Sequence, residues 1–273
     1  MNNLFLSELH IYPIKSLGGI SLQQAEIEEK GLQYDRRWML IDTAGRFITQ
    51  RIHYNLALLQ VSITDELLVI AHKNDPSQQI SFGLEENTGT LLPLQIWDDF
   101  SAGLEVSTRV NEWFSTFMGT EVILVRMPEA ERRLVDPRYA RGNEVVGFAD
   151  GYPCLIISQS SLDGLNERLA DPVPMNRFRP NFVFTGGEAH IEDNFIDFYI
   201  GDILFSAVKP CARCVLTTID QQNAVKGKEP IKTLASYRTI NKKVLFGQNL
   251  VHQGKGTICL GDEIRVMNWK PTP

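Results

Sequence analysis

KPCARCVLTTID, Lys209 to Asp220, sets two cysteines two residues apart ahead of a run of β-branched residues. Whether a helix or a strand follows the second cysteine decides how the latter half of the chain is built. In a thioredoxin-like dithiol the cysteines open a helix whose N-terminus stabilises a thiolate. Here Val215, Leu216, Thr217, Thr218 and Ile219 follow, and that composition predicts a strand. A structural zinc needs a second ligand pair at regular spacing. The sequence has none: Cys154 and Cys259 are isolated, and His190 and His252 stand alone. Two readings stay open, a pair of half-buried cysteines packing as small hydrophobes or one thiolate that holds a ligand. Arg213 between the thiols favours the second, because a cation lowers a thiol pKa, and Lys209 acts in the same direction.

Short β-like runs lie on both sides of this stretch. The first hundred residues carry LSELHIYPI, ISLQQAEIE, RRWMLI, RFITQR, LALLQVSI, LLVIAH and LPLQIW. Turn chemistry at Asp42–Gly45 and Lys30–Gly31 predicts a meander or small barrel. STRVNEWFSTFMG reads as a helix, with Val110, Trp113, Phe114, Phe117 and Met118 at helical spacing, Ser107 to cap it and Gly119 to end it. After the strand VILVRM, weak periodicity and the arginines Arg126, Arg132, Arg133, Arg138 and Arg141 mark an irregular segment crossing between two halves. Beyond it YPCLIIS, FRPNFVFTG, FYIG, ILFSAV, CVLTTID, TICLG and EIRVM read as strands, and SQSSLDGLNERL and IKTLASYR as short helices.

A chain of 273 residues with 43% hydrophobic content can bury one large core or two modest ones. Its net charge of −6 argues against general nucleic-acid binding, so any anion site must be local. No run approaches the ~18 apolar residues of a membrane helix. Four cysteines are too sparse for a secreted disulfide scaffold, which makes the cytoplasm the expected location. In IYPIKSLGG, Lys15 and Ser16 present an ammonium and a hydroxyl at a glycine-rich turn, without Walker A spacing. Arg36, Arg37, Arg51, Arg177 and Arg179 are further anion candidates, each of which alone reads as a surface charge. No Ser-His-Asp set can be nominated, and Asp262-Glu263 reads as a turn.

Taken in order, IYPIKS, YDRRWMLID, FITQR, FADGYP, FRPN, KPCARCVLTTID, EPIKTLASYR, LFGQNL and LGDEI resemble the MOSC family, in particular its branch of amidoxime-reducing components. The resemblance covers nearly the whole chain. It implies a mainly β, barrel-rich α+β fold: an N-terminal MOSC-associated β-barrel domain over residues 1–122, then a MOSC β-barrel domain over residues 123–270 with a few short helices. It implies a molybdenum cofactor (molybdopterin) between them, with Cys214 as the metal ligand and Cys211 a neighbour. Lys15, Ser16 and Arg36 match the positions that hold the cofactor's phosphate, Arg179 and Asn181 those that hold the pterin, and Arg213 lies beside the metal. Such a cofactor needs cationic forks and amides, and a soft metal accepts a thiolate.

The activity so implied is reduction of N-hydroxylated compounds such as amidoximes, hydroxylamines and N-hydroxylated bases, with Asp220 a candidate to position substrate or a proton. No C-x₄-C-x₂-C cluster spacing is present, so electrons are expected from a separate flavin or iron–sulfur reductase. The mitochondrial members' leading segment is missing, which again favours the cytoplasm. A second reading is a cofactor-binding or sulfur-carrier module, with the pyridoxal phosphate association that family annotation attaches to MOSC domains. A third is an idle barrel whose Cys214 is only core, which would leave the arginine motifs unexplained.

Overall fold

The structure, a computed structural model, describes residues 3–271. Strands dominate because short β-branched and aromatic runs alternate with turn residues throughout. The chain opens with β1 (Leu4–Ile11), β2 (Ile20–Leu22), β3 (Gln24–Glu28), β4 (Gly31–Leu32) and β5 (Trp38–Ile41). Next come β6 (Leu59–Thr64), β7 (Leu67–His72), β8 (Asp75–Gly83), β9 (Leu91–Ile96), β10 (Asp99–Glu105), helix α1 (Thr108–Met118) and β11 (Ile123–Arg126). The second half holds β12 (Cys154–Ser158), α2 (Gln159–Asn166), β13 (Phe182–Thr185), β14 (Phe195–Ile200), β15 (Ile203–Ala212) and α3 (Ile231–Tyr237). It ends with β16 (Thr239–Ile240), β17 (Lys243–Gln253), β18 (Gly256–Cys259) and β19 (Glu263–Trp269).

Strands β12, β13, β1, β19, β14, β15 and β17 pair in that order, and β17 returns to β12, closing a seven-stranded barrel. Closure leaves no long unpaired edge. Only the β12–β13 contact is parallel, and β1 is contributed by the start of the chain. Inside, Leu6, Ile156, Phe182, Phe184, Phe195, Phe198, Phe205 and Leu250 form one core, shared with the small sheet β18–β3–β4 through Ala25, Ile27 and Ile258. A second core joins Trp38, Leu40, Leu59, Leu68, Phe82 and Leu124 to Val110 and Phe114 of α1. It lies under the sheets β5–β11–β10–β9 and β6–β7–β8. Helix α1 ends at Gly119 with φ 67°, as its sequence predicts, whereas Ser107 makes no side-chain cap.

Three sequence expectations change. Val215–Thr218 form a single 3₁₀ turn, and the strand here is β15, which carries Cys211 and ends at Ala212 before Cys214. The threonines' β-propensity is overridden because Thr217 Oγ1 and Thr218 Oγ1 bond back to the carbonyls of Cys214 and Val215 at 3.1 and 2.8 Å. RFITQR makes only isolated bridges, Phe47 to Ile41 and Arg46 to Gln95, before the chain turns at Thr49–His53. ISLQQAEIE splits, β2 pairing with β1 and β3 with β18.

Strand β17, at 11 residues the longest, has no counterpart among the predicted strands because Gly247-Gln248-Asn249 interrupts its apolar run. Gly247 is required there: its φ is 81°, and a Cβ would lie 2.6 Å from Ile157 Cγ1. The register of β15 against β17 shifts at Val208 and again at Cys211. Such bulges re-aim side chains next to sites.

Candidate active site

A cavity of about 1020 Å³ opens where the loops of the N-terminal half meet the end of β15. It is lined by Lys15, Ser16, Arg36, Arg179, Asn181, Cys211, Arg213 and Cys214, eight residues singled out from the sequence. Nine basic side chains line it against four acidic ones, on a chain whose net charge is −6. That local reversal of sign is what an anionic ligand requires.

Each of these side chains arrives by a distinct local device. Lys15 and Ser16 follow β1, where the Lys15 N–H bonds Trp38 O at 2.9 Å. Ser16, Arg36 and Arg179 all have positive φ, at 74°, 49° and 55°, although none is glycine. Three residues in the left-handed region around one cavity is the clustering of backbone strain that functional sites retain. Gly147 lets the segment before Asp150 pass close, since a Cβ there would sit 2.9 Å from Arg36 O.

The arginines are not surface charges. Arg179 is 8% exposed, and among the described residues it pairs with no carboxylate, donating only from Nη1 to Leu17 O at 2.7 Å. Burial pushes its pKa down to about 10. Tyr12 packs under both Arg179 and Arg36, whose guanidinium carbons lie 4.1 and 4.3 Å from the ring centre. Arg36 also donates to Asp35 Oδ2 at 2.6 Å and Asn181 Oδ1 at 3.2 Å. Asn181 is further engaged, donating to His10 O at 3.1 Å and accepting from the Leu155 N–H at 3.2 Å. Arg37 turns to Glu28, and Arg177 to Thr217 O and Asp220, so neither lines the cavity.

The two cysteines separate in role. Cys214 ends the β15 extension, and its Sγ accepts from Arg51 Nε at 3.2 Å. Cys211 Sγ accepts from Arg213 Nη1 at 2.9 Å, while Arg213 Nη2 is anchored on Phe178 O at 2.6 Å. Among the described residues Arg213 Nε is buried without a partner. All four cysteines are free. Lys209 lines the same cavity, its ammonium packed 4.1 Å from the centre of the Tyr139 ring.

Asp220 is not brought into the cavity. One carboxylate oxygen accepts from the Gln222 and Asn223 N–H groups at 2.8 and 3.1 Å, the other from Arg177 at 3.0 Å. It closes a turn.

Arg51, an anion candidate in the sequence, lines the cavity, and Asp150 is a residue there that the sequence did not nominate. Asp150 Oδ1 accepts from Lys15 Nζ at 2.7 Å and from Trp97 Nε1 at 3.3 Å, and its Oδ2 accepts from Arg51. Burial works to raise the Asp150 pKa, but Lys15 and Arg51 hold it well below the usual carboxylate range. Burial pushes Lys15 down to about 8, against the pull of Asp150. Arg133 ties the loop down through Gly147 O, Ala149 O and Asp150 O at 2.9, 2.5 and 2.9 Å. The signal available in the sequence was FADGYP, where a lone aspartate reads as a turn residue.

Among the described residues no group of three or more His, Cys, Asp or Glu side chains could hold a metal. A metal bound at Cys214 must therefore bring its other ligands on its own organic carrier. An anionic chelate suits both the single sulfur and the basic wall. Among the described residues no helix is long and apolar enough to cross a membrane.

A strand-built chain with a closed barrel and thiols on a cationic cavity defines the class, and comparison with known proteins assigns the family. Residues 3–121 match the MOSC N-terminal beta barrel domain and residues 143–265 the MOSC domain. The chain is 31% identical to mitochondrial amidoxime-reducing component 1 of Mus musculus over 96% of this chain and 82% of that protein. It is 30% identical to mitochondrial amidoxime-reducing component 1 of Homo sapiens at the same coverage. It is 31% identical to molybdenum cofactor sulfurase of Oryza sativa subsp. japonica, over 90% of this chain but 32% of that protein. The chain belongs to the MOSC-domain family, and one of these relatives is named for the molybdenum cofactor.

Proposed function

We propose that this protein binds the molybdenum cofactor with Cys214 as its one protein ligand to the metal, and reduces N-hydroxylated compounds such as amidoximes and hydroxylamines. Electrons come from a separate flavin or iron–sulfur protein. The observation that carries this reading is the Cys214 sulfur, accepting from Arg51 Nε at 3.2 Å, on the wall of a cavity lined by nine basic and four acidic side chains. The names of the amidoxime-reducing relatives support it. The cofactor, when bound, supplies the two-electron chemistry.

The chain's own residues bind and orient. Lys15, Ser16 and Arg36 receive the cofactor's phosphate. Arg179, with four of its five N–H donors uncommitted to the protein, and Asn181 receive the pterin. Arg213 adds charge beside the metal, held by its bonds to Cys211 and Phe178. Arg51 fixes the Cys214 sulfur by its N–H. Asp150, half exposed and ionised at neutral pH, is the acceptor in the cavity for a substrate N–H; it does not serve as a proton donor. Lys15, whose ammonium donates to Asp150 Oδ1 and Phe148 O at 2.7 Å each, holds that carboxylate in place.

We also propose a division of the sequence into units at residues 1–122 and 123–270, with strand pairing through β1 and β3 crossing it. A cytoplasmic location accords with four free cysteines. The test is metal and pterin analysis of protein made in a host that assembles the cofactor. Wild type should carry about one molybdenum per chain and reduce an amidoxime with an artificial donor. Metal-free protein from such a host sinks the reading. A persulfide on a cysteine, formed from a sulfur donor without reductase activity, would favour a carrier instead.

A further inference from the structure

The hairpin joining β9 to β10 turns through two residues, Trp97 and Asp98, since Ile96 pairs with Asp99. Of the two, only Trp97 has positive φ, at 56°. Turns of that pattern take glycine at the first position, because a side chain there is strained. A tryptophan at this point is a local cost, and its burial does not offset it: Trp97 remains 47% exposed.

What the side chain does is line the cavity. Its indole is fixed from three directions. The Phe47 ring meets it edge-on at 5.0 Å, the Arg51 guanidinium lies 4.9 Å from its centre, and its N–H donates to Asp150 at 3.3 Å. Arg51 in turn holds the Cys214 sulfur at 3.2 Å, so with one C–N bond added the ring centre is no more than about 10 Å from that sulfur. Phe100, 81% exposed, lines the same cavity from the next strand. A half-open aromatic surface fixed within about 10 Å of the Cys214 sulfur can serve as a stacking platform.

We propose that Trp97 determines specificity: it stacks the flat aromatic or heteroaromatic ring of the substrate and so favours aryl over alkyl N-hydroxylated compounds. This rests on the function proposed above and names the substrate class for it. The backbone strain at Trp97 is retained because glycine, which the turn prefers, would remove the platform.

The experiment measures calorimetric affinity of holoenzyme for benzamidine and acetamidine, the flat aryl and the alkyl amidine, neither of which requires turnover. Wild type, Trp97→Gly and Trp97→Phe are compared at matched molybdenum content. Trp97→Gly suits the turn and keeps the fold. Wild type should bind benzamidine at least about tenfold tighter than acetamidine. Trp97→Gly should lose that preference with acetamidine affinity unchanged, and Trp97→Phe, which keeps a ring but no N–H, should retain most of it. The proposal is overturned if wild type shows no preference, if Trp97→Gly keeps it, or if Phe and Gly lose it equally. Turnover of benzamidoxime is scored separately: its absence with the binding preference intact removes the reductase reading and leaves the platform standing.

Discussion

In the barrel interior Phe182, Phe184, Phe195, Phe198 and Phe205 are fully buried and touch one another, Phe182 meeting Phe205 edge-on at 5.2 Å. On the cavity wall Lys15 and Arg179 are almost as buried, at 6% and 8% exposure, yet they carry charge, while Trp97 is a large apolar ring left half open. Backbone angles divide the same way, with Ser16, Arg36, Trp97 and Arg179 at positive φ around the cavity. The barrel core is apolar and closely packed, with its irregularities confined to bulges and to Gly247 and Gln248 of β17; the cavity wall buries charge and leaves a large ring open. Places where local rules fail are where a structure spends stability on function. The comparison therefore sorts mutations before any is made.

The sharpest contrast is between one sulfur and one ring. Cys214→Ser should reduce amidoxime reduction by at least about 1000-fold and strip molybdenum, with the melting temperature of cofactor-free protein moving no more than about 2 °C. Phe205→Ala should do the reverse, costing about 3–5 kcal/mol of stability through a cavity in a tightly packed core. Its activity per folded, molybdenum-loaded chain should stay near wild type. Denaturant unfolding and metal analysis on both variants separate the two. If Cys214→Ser unfolds the protein as Phe205→Ala does, the thiol is core and the division fails.

Lys15 offers a pH test of the same division. Its folded pKa of about 8 lies below the ordinary 10.5, so between these values the unfolded chain binds more protons than the folded one. Stability contributed by this residue therefore rises as pH increases from 8 to 10.5, by up to about 3 kcal/mol. In cofactor-free protein, Lys15→Met should be the more favourable side chain at pH 7, and its advantage over wild type should shrink by pH 10.5. Denaturation midpoints at pH 7, 9 and 10.5 read this directly. A gap that does not change with pH would mean that Lys15 is not held in the buried pocket.

What was legible in the sequence follows the same line. Strands such as LLVIAH and the helix STRVNEWFSTFMG are set by local periodicity, and they stand as β7 and α1. Strand β17 escaped because Gly247 serves a close approach to Ile157 that no local pattern records. CVLTTID misled because threonine hydroxyls found backbone partners three residues back. At the site, the order of motifs assembled eight of the nine chosen residues, all but Asp220. Arg51 and Asp150 act through each other across 99 residues of chain, a relation that spacing cannot express. Trp97 carried no local signal either, because its strain appears only with the pairing of Ile96 and Asp99 that makes a two-residue turn.

The smallest expected effect concerns Cys211, and it tests whether the cavity wall is uniform. Cys211 sits at a bulge of β15, where its sulfur accepts one bond from Arg213, a side chain already anchored on Phe178. Serine supplies an acceptor of similar reach at that bulge, so Arg213 keeps its position. Cys211→Ser should therefore retain molybdenum and change amidoxime reduction by less than about threefold, the cost of one altered hydrogen bond. The pair C-x-x-C then divides into one residue that binds and one that supports. Loss of molybdenum in Cys211→Ser equal to that in Cys214→Ser would make the two sulfurs act as a pair, and the assignment of a single protein ligand would fall with it.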